Sequence, residues 1–76
     1  MDPNAAWRAM LEALHFGDYD EAVAIAVDLQ EWLVRGGFPP CVLPELREAS
    51  KEPLSVAWKL QHDLATFACS FVLSMA

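Results

Sequence analysis

Residues 17–40 read GDYDEAVAIAVDLQEWLVRGGFPP, and this stretch decides the fold. A Gly-Asp corner opens it, a Gly pair and two prolines close it, and the residues between are patterned for a helix. Asp18 offers a side-chain oxygen to free backbone amides, and Asp18-x-x-Glu21 has the spacing of a capping box with Asp in place of Ser or Thr. Asp20 and Glu21 put negative charge at the positive end of the helix dipole. Ala22, Ile25, Ala26, Leu29, Trp32 and Leu33 recur at helical spacing as one apolar face. Val23, Val27 and Val34 form a second strip beside it. Asp20, Asp28, Glu31 and Arg35 leave only a narrow polar lane. The apolar arc is wider than the roughly 100° that a surface helix needs, so this helix is expected to meet neighbours on two sides. Glu31 and Arg35 stand at i,i+4, the spacing of a weak ion pair. Gly36 and Gly37 can leave the helical conformation, and Pro39 and Pro40 cannot continue it. The expected helix is 19–35.

Before this stretch, Asp2-Pro3 is a helix start, with a capping carboxylate and a proline suited to the first turn. Trp7, Met10, Leu11 and Leu14 repeat at i, i+3, i+4 and i+7, with Arg8, Glu12 and His15 opposite. A helix over 3–16, ended by Gly17, should lie antiparallel to 19–35 as a hairpin. Beyond it, residues 38–53 hold four prolines. Phe38, Val42 and Leu43 are too apolar for a flexible linker, so a wrap on the hairpin is expected, with one short helix at 44–50. Pro53 is expected to open a last helix over 53–74. Leu54, Ala57, Trp58, Gln61, Leu64, Ala65, Ala68, Phe71, Val72 and Met75 share its broad apolar face. Lys59, His62, Asp63, Thr66, Ser70 and Ser74 make the other lane, flanked by Phe67 and Leu73. The fold class is all-α: a small helical bundle of antiparallel helix hairpin, Pro-rich connector and long C-terminal helix, forming one domain over 1–76.

Composition narrows function by exclusion. Five Lys and Arg face eleven Asp and Glu, for a net charge of −6, and 55% of the chain is hydrophobic. That is too apolar for a disordered acidic tail. It is too poor in cations for an electrostatic nucleic-acid binder, and it is unsuited to anionic membrane faces. The acidity is local: residues 1–31 carry seven acids and one base, while 32–76 carry four of each. The opening MDPNAAW is acidic, unlike a secretory signal. The uncharged run from Leu64 to Ala76 is thirteen residues, short of the about 20 that cross a bilayer. Cys41 and Cys69 permit at most one bridge and no disulfide framework, which points to two reduced thiols and the cytoplasm.

Chemical motifs are sparse. His15 and His62 stand alone, and His15 with Asp18 or His62 with Asp63 gives two ligands where zinc wants three or four. Asp18, Asp20 and Glu21 lack the glycine and closing glutamate of a calcium loop. Cys69 and His62 lie two helical turns apart, about 10 Å along the axis, too far to touch. Cys41 could meet His15 or His62 in space, which leaves a thiol- or His-dependent activity as the enzyme-class alternative. Gly36-Gly37 follows a helix, whereas phosphate cradles precede one. Trp7, Trp32 and Trp58 each fall on the main apolar stripe of their helix, which suits core packing, with a self-association surface as the other use. No cofactor, metal site or catalytic residue is expected.

Two stretches resemble known families. Gly17-Asp18-Tyr19-Asp20-Glu21-Ala22, within residues 5–33, is similar to a tetratricopeptide-type hairpin. Trp7 and Ala22 sit one residue too close for that register, Leu11 stands where a small residue belongs, and no second copy follows. Trp32-Leu33-Val34-Arg35-Gly36-Gly37-Phe38-Pro39-Pro40 resembles short acidic helical proteins of bacteria and their phages that carry W-L-x-x-G-G-F-P-P after an amphipathic helix. The likeness covers about the first forty residues and implies a small intracellular accessory protein. Together these readings lead to an expected non-catalytic interaction protein that self-associates, as a two-fold dimer, through Val23, Val27, Phe67, Phe71, Val72 and Met75. The alternative within the binding class is an adaptor whose acidic hairpin receives a larger basic protein.

Overall fold

A computed structural model describes residues 1–75, and Ala76, the end of the uncharged run, lies outside the described residues. The chain forms three α-helices, α1 (Pro3–His15), α2 (Tyr19–Val34) and α3 (Val56–Leu73). Two 3-10 turns, Pro44–Leu46 and Ala49–Lys51, lie in the connector between α2 and α3. The protein is thus a small all-α bundle, with no strand among the described residues.

Local chemistry sets the ends of each helix. Asp2 Oδ1 accepts from the Asn4 and Ala5 amides at 3.1 and 3.2 Å, and Pro3 fills the first helical position. At the other end Gly17 turns left-handed (φ 74°), and the Gly17 and Asp18 amides return to the Leu14 and Ala13 carbonyls. Gly36 (φ 85°) repeats this at the end of α2, with Gly36 and Gly37 amides donating to Leu33 and Trp32. Both exits are the paired-bond motif that a left-handed glycine makes possible. Asp18 therefore serves twice. Its amide closes α1, and its carboxylate accepts from the Glu21 amide at 3.3 Å to open α2. Because Ala13 already takes the Asp18 amide, the reciprocal bond of a capping box is not made.

Three expectations about elements are corrected. The last helix starts at Val56, not Pro53: Leu54 is held at φ 64°, which interrupts the chain, and Ser55 caps the helix by accepting from the Trp58 amide at 3.1 Å. The single helix expected at 44–50 is two 3-10 turns, because side chains outside the segment pin its backbone. The Ser55 hydroxyl donates to the Ala49 carbonyl and Gln61 holds Leu43. Glu31 and Arg35 form no ion pair; Arg35 is the C-cap of α2, where the backbone has left helical geometry.

α2 is the central element, packed against α1 on one side and α3 on the other, as its wide apolar arc requires. α3 leans on α2 and on the second 3-10 turn rather than lying across both hairpin helices. The core is Met10 and Ala13 from α1, Ala22, Ala26, Leu29 and Leu33 from α2, and Ala65, Cys69 and Val72 from α3. Four of these nine are alanine and one is cysteine. Small side chains let the helices approach closely and leave no room for large ones between them. This overturns part of the expected face of α3: Phe71, Met75 and Leu54 lie outside, and Cys69 takes the inner position. Leu11, expected on the α1 stripe, is exposed, and Ala13 fills the core there.

Candidate functional site

Two surfaces carry what the helices leave uncovered. The first is apolar and runs along the outside of α3. Val56, Leu60, Leu64, Phe67, Phe71 and Met75 are spaced by four, four, three, four and four residues, so they form one stripe. Leu64 is partly buried and the other five are exposed. The stripe continues onto α2. Gln30 Nε2 donates to Ser70 Oγ at 2.9 Å across the two helices. Exposed Val27 and Val34 lie one turn either side of Gln30, and Phe67 lies one turn from Ser70. All four phenylalanines of the chain are outside, with Phe16 74%, Phe67 73%, Phe71 63% and Phe38 54% exposed. Alanines sit in the core and phenylalanines on the surface, the reverse of what a self-sufficient small domain prefers.

The six residues expected at the self-association surface divide. Val27, Phe67, Phe71 and Met75 are exposed. Val23 is partly buried and packs on the core. Val72 is corrected: at 3% exposure it is a core residue and presents nothing outward. Leu60 and Val56 lay beyond the sequence reading, although the three-four spacing back from Phe67 carried the signal.

The second surface is a cleft of about 780 Å³ between the start of α1, the connector and the start of α3. It exists because α3 meets α2 more fully than it meets α1, and the connector floors the gap. Asn4, Trp7 and Arg8 come from α1, Phe38–Cys41 and Arg47, Ser50, Lys51 and Pro53 from the connector, and Trp58 and Gln61 from α3. Buried Gln61 holds the floor. Its Oε1 accepts from the Leu43 amide at 2.6 Å, and its Nε2 faces Ser50 Oγ at 2.9 Å, the Leu43 carbonyl at 3.3 Å and Cys41 Sγ at 3.9 Å. Asn4 Oδ1 accepts from the Cys41 amide at 2.6 Å and ties the connector to α1. Trp32 fixes the connector's entry, donating from Nε1 to the Phe38 carbonyl at 2.9 Å and meeting the Phe38 ring edge-on at 5.6 Å.

All three tryptophans are partly buried at the rim of the core. Trp7 and Trp58 line the cleft, and Trp32 lies over Gly37. The histidines do not converge on a thiol. His15 is exposed beside Phe16, while His62 stacks on Trp58 at 5.1 Å and donates from Nε2 to the Leu33 carbonyl at 2.9 Å. The partner of Cys41 Sγ is the neutral Gln61 amide, which takes up no proton. Cys69 is fully buried, and burial pushes its thiol up to about 11. Both cysteines are free. Among the described residues no cluster of three or more His, Cys, Asp or Glu is arranged to hold a metal ion, and no helix is long and apolar enough to cross a membrane. No protein-family model, curated protein or solved structure matches the chain.

Proposed function

We propose that the protein is a non-catalytic interaction module that self-associates as a two-fold dimer through the outer stripe of α3 and the adjoining valines of α2. One observation carries the reading: Phe67 and Phe71 stand exposed at i,i+4 in the middle of an uninterrupted apolar stripe. From Val56 to Met75 the stripe is about 29 Å long at 1.5 Å per residue. With α2 beside it at a helix spacing of about 10 Å, the face measures on the order of 600 Å². Specific interfaces bury about 600–1,000 Å² per partner, so a second copy of the same face is of the right size for a dimer of modest affinity. Charge favours a like partner here. α3 carries only Lys59 and Asp63, net zero, while the acidic residues crowd on the α1–α2 hairpin. Two copies meeting on α3 bring no net charge from that helix into the contact, and on the α2 side the exposed carboxylate at helical spacing between Val27 and Val34 is that of Glu31, which belongs at the solvated rim. Two free thiols fit a reducing, cytoplasmic setting. The Trp32–Pro40 resemblance to short accessory proteins of bacteria and phages agrees with a chain of this kind.

The test is the double variant Phe67→Ser/Phe71→Ser, followed by light scattering across micromolar concentrations. The reading expects the wild type to shift to twice the chain mass with rising concentration and the variant to need at least tenfold more protein. Identical behaviour of the two proteins would refute it.

A second reading rests on the hairpin tip. Exposed Phe16 borders a shallow hollow that Glu12, Asp18 and Glu21 also line. An apolar anchor ringed by carboxylates suits a basic protein segment. Capture of a basic peptide that weakens steeply between 50 and 300 mM salt, and that Phe16→Ser abolishes, is its expected signature. Binding that ignores salt would remove it.

A further inference from the structure

The charge of the cleft is out of keeping with the chain. The protein is net −6 with only five Lys and Arg. Three of those five, Arg8, Arg47 and Lys51, line one cleft, and no carboxylate is among its lining residues. They come from separate places in the sequence, one on α1 and two in the connector, and folding brings them together. Arg8 and Arg47 take part in no ion pair among the described residues. Lys51 touches only exposed Glu48, at 3.1 Å, and such a surface pair is weak and easily exchanged. Cations gathered without counter-charges repel one another, and an anion placed among them relieves that repulsion.

The rest of the lining fixes what kind of anion. Trp7, Trp58 and Phe38 offer aromatic surface and Pro39 and Pro53 flat apolar surface, with partly exposed Asn4 and Ser50 as the neutral polar groups and buried Gln61 beneath them. A volume of about 780 Å³ is that of a site for a small organic molecule rather than a bare ion or a folded partner. Arginine binds carboxylate, sulfonate and phosphate groups with paired N–H donors, and an aromatic body stacks on indole faces. We propose that this cleft binds a small organic anion with an aromatic body, with Arg8 and Arg47 taking the anionic group and Trp7 and Trp58 the ring. The site faces away from the outer stripe of α3. Trp58 and Gln61 belong to the inner side of that helix, so the proposal stands apart from self-association.

Two probes with one body separate the contributions: 1-anilinonaphthalene-8-sulfonate and its uncharged parent, N-phenyl-1-naphthylamine. Binding is read as probe fluorescence and as energy transfer from tryptophan, at low ionic strength. Arg8→Ala and Arg47→Ala are each expected to weaken the sulfonate at least threefold, and the pair at least tenfold. The neutral probe should change by less than twofold. Arg35→Ala removes the same charge from a residue that does not line the cleft and should leave both probes within twofold. Phe67→Ser/Phe71→Ser should leave the sulfonate's affinity unchanged even where it abolishes self-association. Circular dichroism confirms that the variants, altered at exposed side chains, keep their helices. Sulfonate binding that ignores Arg8 and Arg47, follows Arg35 equally, or disappears only with the phenylalanines would overturn the proposal.

Discussion

Gly37 shows how a motif legible as a stop signal conceals a more specific demand. Its backbone is not left-handed, yet a Cβ built there would lie 2.3–2.6 Å from three atoms of the Trp32 indole. Trp32 in turn bonds the Phe38 carbonyl, and Pro40 is fully buried. The string Trp-Leu-x-x-Gly-Gly-Phe-Pro-Pro is therefore one local structure, a left-handed exit followed by an indole laid flat on a glycine. The stop is legible from residue types, whereas the indole contact arises only from the path the folded chain takes after Gly36. Gly37→Ala is expected to cost about 1–3 kcal/mol in urea unfolding through this overlap, whereas Trp32→Leu/Gly37→Ala should recover part of the loss. No change for Gly37→Ala would mean that the indole moves aside freely. Cys69 makes a second prediction at this scale. Its folded-state value of about 11 stands above the ordinary 9.0, so the unfolded chain loses this proton first as pH rises. The neutral thiol's contribution is complete below pH 9 and is lost between about 9 and 11, at up to about 1.4 kcal/mol per pH unit. Cys69→Ala should flatten stability measured across that window relative to wild type. At neutral pH a thiol reagent should label partly exposed Cys41 quickly and Cys69 only on unfolding.

At the scale of elements, α3 was the hardest to read and the connector carries the most weight. The α1–α2 hairpin was plain because its caps and its apolar periods agree: Asp2, Gly17, Asp18 and Gly36 all act where residue type says they should. α3 has two apolar faces, and periodicity alone does not say which one turns inward. The inner face proved to be the one with Ala65 and Cys69, since these fit against Ala22 and Ala26. Its start is ambiguous in the sequence because Pro53 and Ser55 are both good openers, and only the left-handed Leu54 between them decides. A leucine in that conformation costs about 1 kcal/mol, so Leu54→Gly should leave stability unchanged or raise it by up to about that amount in thermal melts. A clear loss would show that the Leu54 side chain matters more than its backbone. The connector depends on Gln61, a polar residue in an apolar pattern whose purpose no spacing rule reveals. Gln61→Leu keeps the volume but leaves the Leu43 amide without its acceptor, while the Ser50 hydroxyl keeps its bond to the Leu46 carbonyl. Unsatisfied buried groups cost about 1–3 kcal/mol each, so the connector should loosen and its amides exchange faster while α1 and α2 keep their protection. The cleft was invisible in the sequence for the same reason: Arg8, Arg47 and Lys51 are distant along the chain, and only the path of the connector gathers them.

For the whole molecule, the governing fact is the exchange of inside for outside. Alanines and a cysteine fill much of the core, while all four phenylalanines reach solvent. A chain of 76 residues buries about 60% of its unfolded surface at best and has little stability to spare. Covering Phe67 and Phe71 with a second copy adds apolar burial to a thin core, so thermal stability should rise with protein concentration in the wild type and not in Phe67→Ser/Phe71→Ser. The surplus of apolar helix was evident from the sequence, and four of the six residues singled out for it are exposed. Val72 differs from its neighbour Phe71 because one residue turns the helix by about 100°, enough to carry the side chain from the exposed stripe into the core. The most direct measurement is sedimentation equilibrium of the wild-type chain over the micromolar range. The account predicts a concentration-dependent rise from the 8.4 kDa of one chain towards twice that mass. A single 8.4 kDa species at every concentration would contradict it.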